Sequence, residues 1–233
     1  MATQHKFIFF DIDGTLLSTG GAGHRAISTA LQREFSIEFP LGGVLTAGRT
    51  DRGITDEIFE RFGVENSDQS RERFRSAYLS ELSIGLANDE GFLLPEVEPL
   101  LRHLAQHPNI TLSLITGNYE EGAWIKLRQF GLDSYFQFGG FGDHEANRDN
   151  VAKNALATAS RNVGYDVAGH QAIVIGDTDA DIRCARAIGA QAVAVATGTY
   201  PVHELEPHAP DLLLESFSGF EQVANMLLAM GGC

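Results

Sequence analysis

Two aspartates at the end of an apolar run are the residues of this chain whose types and spacing most directly suggest chemistry. Residues 7–10 are apolar and lead into Asp11 and Asp13, and Gly14 and Thr15 follow. A short continuous apolar run predicts a strand buried on both faces. Carboxylates at the end of such a strand are costly unless they have a partner, and Mg²⁺ suits oxygen ligands. A simple Asp-Gly turn is the alternative interpretation.

Two further apolar runs, at residues 110–115 and 172–175, also end in polar residues. These polar residues are Thr116, Gly117 and Asn118 after the first run, and Asp177 and Asp181 after the second. Taken alone, each set is typical of a turn or a helix start. In an open α/β sheet, however, ligands bind beyond the carboxyl ends of the strands. Three such ends in one sheet therefore indicate a binding site.

The chemistry open to these residues is phosphoryl transfer. Asp11, Asp13 and Asp177 could converge on one Mg²⁺, which would allow a phosphate dianion to enter. One aspartate could then attack phosphorus, while a second, two residues further along, protonates the leaving oxygen and later activates water. The Thr116 hydroxyl and the next two main-chain N–H groups suit phosphate oxygens. A fixed cation is still required to stabilise the transferring group.

The surrounding pattern predicts the elements that hold these residues. Residues 19–86 have helical periodicity and no strand signal, whereas strands alternate with helices further on, including a short strand expected at residues 135–138. Such alternation indicates a parallel sheet with right-handed crossovers. The predicted fold class is α/β: a doubly wound, Rossmann-like parallel sheet core from residues 1–18 and 87–233. An all-helical insert at residues 19–86 interrupts it.

Composition limits the partners of the chain. Its 17 basic and 31 acidic residues give a net charge of −14, which argues against nucleic acid or an anionic membrane as a partner. Two cysteines, Cys184 and Cys233, do not make a disulfide framework, so we expect a reducing, cytoplasmic location. The first six residues contain no apolar segment typical of a signal peptide, and no run is long enough to predict a membrane span.

Three motifs resemble, in order and position, those of the haloacid dehalogenase-like hydrolase superfamily, and within it the phosphoglycolate phosphatase-like branch. They are Asp-x-Asp-Gly-Thr at residues 11–15, the strand ending in Thr116, and Gly-Asp-x-x-x-Asp at residues 176–181. The resemblance covers essentially the whole chain. The helical insert falls between the first two motifs, where that branch carries its cap.

The resemblance implies a role for each acidic residue. Asp11 would be the nucleophile and a metal ligand. Asp13 would be the general acid/base, with its main-chain carbonyl on Mg²⁺. Asp177 would be a further metal ligand, and Asp181 an outer-shell or second acidic residue.

The same resemblance implies that Thr116 and Asn118 bind the transferring phosphoryl group, but it departs at the third motif. The family usually places a lysine, often followed by proline, before the next helix, and residues 139–153 contain no Lys-Pro pair. Arg148 lies closest to the expected position, and its planar fork suits phosphate. Lys153 is the alternative, about one turn into the helix. Whichever residue is not used would be a solvated surface cation.

The expected function is a magnesium-dependent phosphatase that hydrolyses a small phosphorylated metabolite through an aspartyl phosphate. In the cap, Arg49 is a candidate for binding a carboxylate or second phosphate of the substrate, or else a surface arginine, and the role of His24 is open. A catalytically weak binding or regulatory protein is one alternative. A phosphomutase is another, which the absence of any lysine from residues 19–86 disfavours. The sequence specifies neither the ester nor the oligomeric state.

Overall fold

A computed structural model describes residues 5–40, 43–88 and 91–230. The strands in this part of the chain are β1 (Lys6–Phe10), β2 (Leu17–Ser18), β3 (Phe92–Leu93), β4 (Ile110–Ile115), β5 (Gly139–Gly140), β6 (Ala172–Gly176), β7 (Gln191–Val195) and β8 (Leu212–Leu214). The α-helices are α1 (Ala22–Phe35), α2 (Asp51–Phe62), α3 (Asp68–Asn88), α4 (Val97–Ala105), α5 (Glu120–Gln129), α6 (Arg148–Val163), α7 (Asp179–Ala187), α8 (Val202–Leu205) and α9 (Phe220–Ala229).

The main sheet is six-stranded and parallel, in the order β5-β4-β1-β6-β7-β8. The central strand β1 is buried on both faces, as its apolar run predicts. Phe7 and Phe9 pack with α6 and α7 on one face, while Ile8 and Phe10 pack with α4, α5 and α9 on the other. The predicted fold class, an α/β sheet core of Rossmann-like topology, is confirmed. Because β1 pairs with both β4 and β6, the carboxyl ends of these three strands are neighbours.

The edge of the sheet differs from the prediction. The prediction of a strand at residues 135–138 is wrong. Asp133–Tyr135 forms a 3₁₀ turn, and the edge strand is Gly139–Gly140, which pairs with the end of β4. A Cβ atom on Gly140 would overlap the main-chain oxygen of Val151 in α6. Glycine is therefore required by the close approach of a helix. Because glycine is depleted in strands, residue type alone gives no strand signal here.

Helices α1, α2 and α3 form the insert and share a hydrophobic cluster, which Tyr119, just before α5, also joins. Local sequence signals set both ends of helix α2. The Thr50 side chain accepts a hydrogen bond from the N–H of Gly53, and Gly63 ends the helix in a left-handed conformation. Within residues 19–40 and 43–86 there is no strand. Helix α3 continues to Asn88, so we retain residues 19–86 as a proposed cap boundary.

The two chain segments that join the insert to the sheet lie side by side. Strand β2 pairs antiparallel with β3, with Leu17 opposite Leu93 and Ser18 opposite Phe92. Both connections therefore belong to one small two-stranded sheet.

Two further features concern residues named in the sequence analysis. Cys184 is buried with a free thiol, and Cys233 lies outside the described residues. Among the helices of the described ranges, none combines the length and the apolar character that crossing a membrane requires.

Candidate active site

The ends of β1, β4 and β6 open into one cavity of about 420 Å³ between the sheet and the insert. Asp11, Thr116 and Asp177 each follow one of these strands directly. All three are buried and line the cavity. The convergence of three strand ends, which the sequence predicts, is thus present in the structure.

Three carboxylates form an acidic floor at this cavity: Asp11 and Asp177 line the cavity, and Asp181 lies beside them without lining it. The side chains of Asp11, Asp177 and Asp181 are buried, and their oxygen atoms lie within 4.8 Å of one another. Burial and the neighbouring acids Asp181 and Asp13 raise the pKa of Asp11 to about 6, against the opposing effect of Arg148. Burial and repulsion from the carboxylates of Asp181 and Asp11 raise the pKa of Asp177 well above its ordinary value.

Arg148 is the cation that contacts this floor. It is the first residue of α6, which Asn147 caps by accepting a hydrogen bond from the Asp149 N–H. Its guanidinium is buried, with Nη2 3.0 Å from Oδ2 of Asp11 and 2.5 Å from Oδ1 of Asp181. Lys153, by contrast, is exposed, and its ammonium lies 3.4 Å from Oδ1 of Asn150. The structure therefore places Arg148, and not Lys153, beside Asp11. The role of Arg148 as the third-motif cation stays a prediction.

A second buried cation, Lys126, holds Asp13. The Lys126 side chain is 4% exposed, and its ammonium lies 2.6 Å and 2.8 Å from the two carboxylate oxygens of Asp13. It also donates to Oδ1 of Asn118 at 2.6 Å, and Nδ2 of Asn118 donates to Asp13 at 2.8 Å. Burial raises the pKa of Asp13, but Lys126 and Asn118 together hold it below its ordinary value.

Sequence reasoning did not assign Lys126 to the site. A signal was available, because the buried residues Gly122, Ala123 and Leu127 of α5 lie on the same helical stripe as Lys126. A buried lysine on such a stripe needs an anionic partner. Asp13 is that partner, so its carboxylate is directed to Lys126 instead of joining the three acids on the floor. The metal-binding group that the resemblance assigns to Asp13 is its main-chain carbonyl, and this assignment stays a prediction.

The β4–α5 loop supplies the polar groups predicted for phosphoryl binding. Thr116 is fully buried, and its hydroxyl accepts hydrogen bonds from Asn118, at 2.8 Å from Nδ2 and 3.4 Å from the main-chain N. Asn118 thereby bridges Thr116, Asp13 and Lys126. Both residues, together with Gly117, line the cavity.

The insert docks on this loop through the start of α2. The Asp51 N–H donates to the Gly117 carbonyl at 2.7 Å, and the Tyr119 N–H donates to Oδ2 of Asp51 at 2.8 Å. A Cβ atom on Gly117 would overlap the main-chain oxygen of Arg49. The Tyr119 hydroxyl lies 2.9 Å from that of Thr55 in α2. Asp51 and Tyr119, which the sequence did not single out, therefore join cap and core at the cavity.

Arg49 and His24 line the cavity, but their polar groups are bound within the cap. The guanidinium of Arg49 donates to Glu57 at 2.5 Å and to the main-chain carbonyls of Leu45 and Gly53 at 3.2 Å and 3.1 Å. The His24 Nε2 lies 3.1 Å from the Thr46 hydroxyl. The predicted contact between Arg49 and substrate stays a prediction.

The acidic floor fits a hard divalent cation. Asp11, Asp177 and Asp181 are three buried carboxylates, and Arg148 is the one cation that contacts them among the described residues. Burial, together with repulsion from the neighbouring carboxylates, raises the pKa values of Asp11 and Asp177. Carboxylate oxygens grouped in this way are suitable ligands for Mg²⁺.

A parallel sheet with acidic strand ends beneath a helical insert defines a class of capped α/β hydrolases. A family model confirms this, because the haloacid dehalogenase-like hydrolase model matches residues 5–189. The chain belongs to the haloacid dehalogenase-like hydrolase family.

Individual relatives agree with this assignment. A phosphoglycolate phosphatase of Escherichia coli K12 is 24% identical over 231 residues, covering 91% of this chain and 89% of the relative. A protein of Dickeya dadantii named "Probable phosphatase IndB" is 26% identical over 239 residues, covering 96% and 95%. The crystal structure of a hydrolase from Pseudomonas syringae shares the fold, with a TM-score of 0.72 and 22% identity, covering 97% of this chain and all of that one.

The prediction that the chain is an enzyme of the phosphoric monoester hydrolase class, in the phosphoglycolate phosphatase-like branch, is confirmed.

Proposed function

We propose that this protein is a magnesium-dependent phosphatase of a small phosphorylated metabolite, with Asp11 as the nucleophile and Asp13 as the general acid/base. The observation that carries the proposal is the pairing of two carboxylates with two different buried cations. Asp11 is paired with Arg148 on the acidic floor, and Asp13 is paired with Lys126 two residues further along. This geometry gives neighbouring aspartates different surroundings, as separate roles in one reaction require.

In the first half-reaction, a carboxylate oxygen of Asp11 attacks phosphorus, and the bond from phosphorus to the leaving oxygen breaks. Asp13 donates a proton to that oxygen, so the leaving group departs as an alcohol. The product on the enzyme is an aspartyl phosphate at Asp11. Thr116 and the main-chain N–H groups of Gly117 and Asn118, residues that line the cavity, would bind the phosphoryl oxygens.

In the second half-reaction, Asp13 accepts a proton from a water molecule that attacks the phosphorus of the aspartyl phosphate. The bond between phosphorus and the Asp11 oxygen breaks, which returns the Asp11 carboxylate and releases inorganic phosphate. Asp13 thus regains the proton that it donated in the first half-reaction. The guanidinium of Arg148 stabilises the negative charge that collects around Asp11 in both steps.

Asp11 and Asp177, with the main-chain carbonyl of Asp13, would hold Mg²⁺, which when bound supplies positive charge for the phosphate dianion. Asp181 accepts from Arg148 and from the main-chain N–H and hydroxyl of Thr178. These contacts suit it to a supporting position behind the ligands. The predicted cytoplasmic location and the identity of the ester stay predictions.

The test is release of phosphate from p-nitrophenyl phosphate, with and without Mg²⁺. We expect turnover by the native chain that is abolished by EDTA and restored by added Mg²⁺. Asp11→Asn removes the nucleophilic oxygen without changing side-chain size, so we expect a loss of at least about 10³-fold in kcat.

The alternative is a protein that binds phosphorylated ligands without catalysis. If the native chain hydrolyses neither p-nitrophenyl phosphate nor a broad panel of phosphate esters faster than Asp11→Asn, the enzymatic proposal fails. Binding of phosphate or vanadate by both proteins would then support the alternative.

A further inference from the structure

The half of the cavity formed by the cap differs in chemistry from the acidic floor. The apolar side chains of Ile27 and Ile54 line it, with the phenol of Tyr78 and the polar pair His24 and Thr46. These groups surround the space that the leaving group of a phosphate ester would fill. Their chemistry therefore bears on which ester fits.

Each arginine or lysine that lines the cavity, within the described ranges, already has a carboxylate partner. Lys126 is paired with Asp13, and Arg148 with Asp11 and Asp181. The third, on the cap side, is Arg49. A substrate with a second negative charge on its leaving group would therefore meet no unpaired arginine or lysine there.

The guanidinium of Arg49 is held by three acceptors at once. They are the Glu57 carboxylate and the carbonyls of residues 45 and 53, at distances of 2.5 to 3.2 Å. The pair with Glu57 is partly exposed, and such a pair alone is weak. The two carbonyl contacts fix the orientation as well, so three of the five N–H groups of Arg49 are already donated and the Glu57 carboxylate offsets its positive charge.

Asp51 presents an acceptor to the same part of the cavity. Its Oδ2 accepts from the Tyr119 N–H, and Oδ1 has no donor in the part of the chain that the structure describes. Asp51, Asp13 and Lys126 all line this cavity, so Asp51 shares it with the acid/base pair. Burial raises the pKa of Asp51 to about 6. An anionic leaving group would be repelled at this position, whereas a hydrogen-bond donor would be bound.

We propose that the substrates are phosphate monoesters whose leaving group carries no negative charge and presents a hydroxyl or ammonium donor to Asp51. This inference rests on the proposed phosphatase function and narrows its substrate class. It also separates this chain from the activity in the name of its phosphoglycolate phosphatase relatives, because the glycolate leaving group carries a carboxylate.

The first test compares kcat/KM for three esters of nearly equal size with the native protein and Mg²⁺. They are 2-hydroxyethyl phosphate, propyl phosphate and 2-phosphoglycolate, which end in a hydroxyl, a methyl and a carboxylate. We expect 2-hydroxyethyl phosphate to be the best substrate and to exceed 2-phosphoglycolate by about 10-fold or more. Phosphoethanolamine, with an ammonium group, should also exceed 2-phosphoglycolate.

Two results would overturn the inference while leaving the phosphatase proposal intact. One is a kcat/KM for 2-phosphoglycolate equal to or above that for 2-hydroxyethyl phosphate. The other is no advantage of the hydroxyl ester over propyl phosphate. Failure to hydrolyse any ester, including p-nitrophenyl phosphate, would instead refute the proposed function and this inference with it.

A second test uses Glu57, which lies outside the cavity lining. Glu57→Gln removes the charged partner of Arg49, so we expect kcat/KM for 2-phosphoglycolate to rise about 10-fold. Activity on 2-hydroxyethyl phosphate should stay unchanged. The matched control is Glu57→Gln combined with Arg49→Met, in which the gain should disappear. A gain that persists in the double variant, or no gain in the single one, would contradict the assignment of Arg49 as a restrained cation.

Asp51→Asn tests the acceptor. Its amide oxygen can still accept from the Tyr119 N–H, but the negative charge is gone. We expect the ratio of kcat/KM between 2-hydroxyethyl phosphate and 2-phosphoglycolate to fall about 10-fold. An unchanged ratio would show that Asp51 does not select the leaving group.

Discussion

At the scale of single residues, the site depends on two buried cations that serve two different aspartates. Removing an ammonium or a guanidinium from water is costly unless a partner is placed with good geometry. Lys126 meets this requirement with Asp13 and Asn118, and Arg148 meets it with Asp11 and Asp181. Asp11 and Asp13 thus have different cationic partners, although only one residue separates them in the sequence.

Lys126→Met keeps the length of the side chain and removes its charge. Because Asp13 and Asn118 would lose their shared donor, we expect kcat on p-nitrophenyl phosphate to fall about 10²-fold. Arg128→Met, an exposed position on the same helix, is the control and should be neutral. Lys126→Arg tests charge alone. If Lys126→Met is as active as the control, Lys126 has no part in the reaction.

Arg148→Ala should lose more activity than Lys153→Ala. Arg148 contacts the nucleophile, so its loss should lower kcat at least about 10²-fold, whereas Lys153 is exposed and contacts Asn150. The measurement is the kcat of both variants in parallel, with folding checked by circular dichroism. The opposite ranking would reassign the third-motif cation.

Residue types and spacing predicted the acidic strand ends because the carboxyl ends of neighbouring parallel strands must meet. The apolar stripe of α5 indicates that Lys126 is buried, but the local sequence does not show which residue of another element Lys126 or Asp51 will face. Lys126 lies 113 residues from its partner Asp13, and Asp51 lies 68 residues from Tyr119. Only the packing of α5 and of the cap on the core creates these contacts.

At the scale of elements, the start of α2 and the loop after β4 form the contact through which the cap reaches the site. The main-chain N–H of Asp51 donates a hydrogen bond to the carbonyl of Gly117, and the Arg52 N–H donates to the carbonyl of Gly142 at 3.3 Å. Gly142 in turn donates to the carbonyl of Asn118 at 2.8 Å. A change in main-chain position at this contact therefore alters cap and active site together.

Gly117→Ala should displace the cap from the loop. The added Cβ atom would overlap the Arg49 carbonyl, so we expect kcat/KM to fall about 10-fold or more through loss of closure. Thermal unfolding should change less, because the sheet core is not touched. Gly122→Ala is the matched control, since a Cβ atom there has ordinary contacts with Leu79 and Leu82. Equal activity of Gly117→Ala and Gly122→Ala would contradict a closed cap as the active arrangement.

The elements themselves were largely predictable where the sequence pattern is strong, as in the helices of residues 19–86 and the apolar run of β4. The exception was β5, because Gly139 and Gly140 are dictated by the approach of α6 and not by strand propensity. The position of β5 therefore depends on a contact with α6, which the local sequence pattern does not show.

At the scale of the whole molecule, stability should depend on pH through the acid at the cap–core interface. Burial raises the pKa of Asp51 to about 6, above the value of about 3.9 in an unfolded chain. The stabilising contribution of this group is therefore fully present below about pH 4 and is lost as the pH rises through 6. Acidification should favour the docked cap as far as Asp51 alone is concerned.

Asp51→Asn should remove this dependence. Because the side chain is partly exposed, we expect a gain of about 1 kcal/mol in the free energy of unfolding at pH 7.5 and no gain at pH 4. Urea unfolding of both proteins at the two pH values is the measurement. Asp68→Asn is the control, since Asp68 is the first residue of α3 but is fully exposed. An equal gain at both pH values would show that ionisation of Asp51 is not the cause.

The antiparallel pairing of β2 with β3 has a consequence for how such a molecule can diversify. Residues facing each other in such a pair have Cα atoms about 5 Å apart. The two chain segments that connect the insert to the core therefore lie next to each other, at Leu17 and Leu93. A whole cap can then be exchanged, shortened or replaced by a tight turn without a change in the strand order of the main sheet. Substrate selectivity, which depends on the insert, can in this sense change separately from the reaction, which depends on residues at the strand ends.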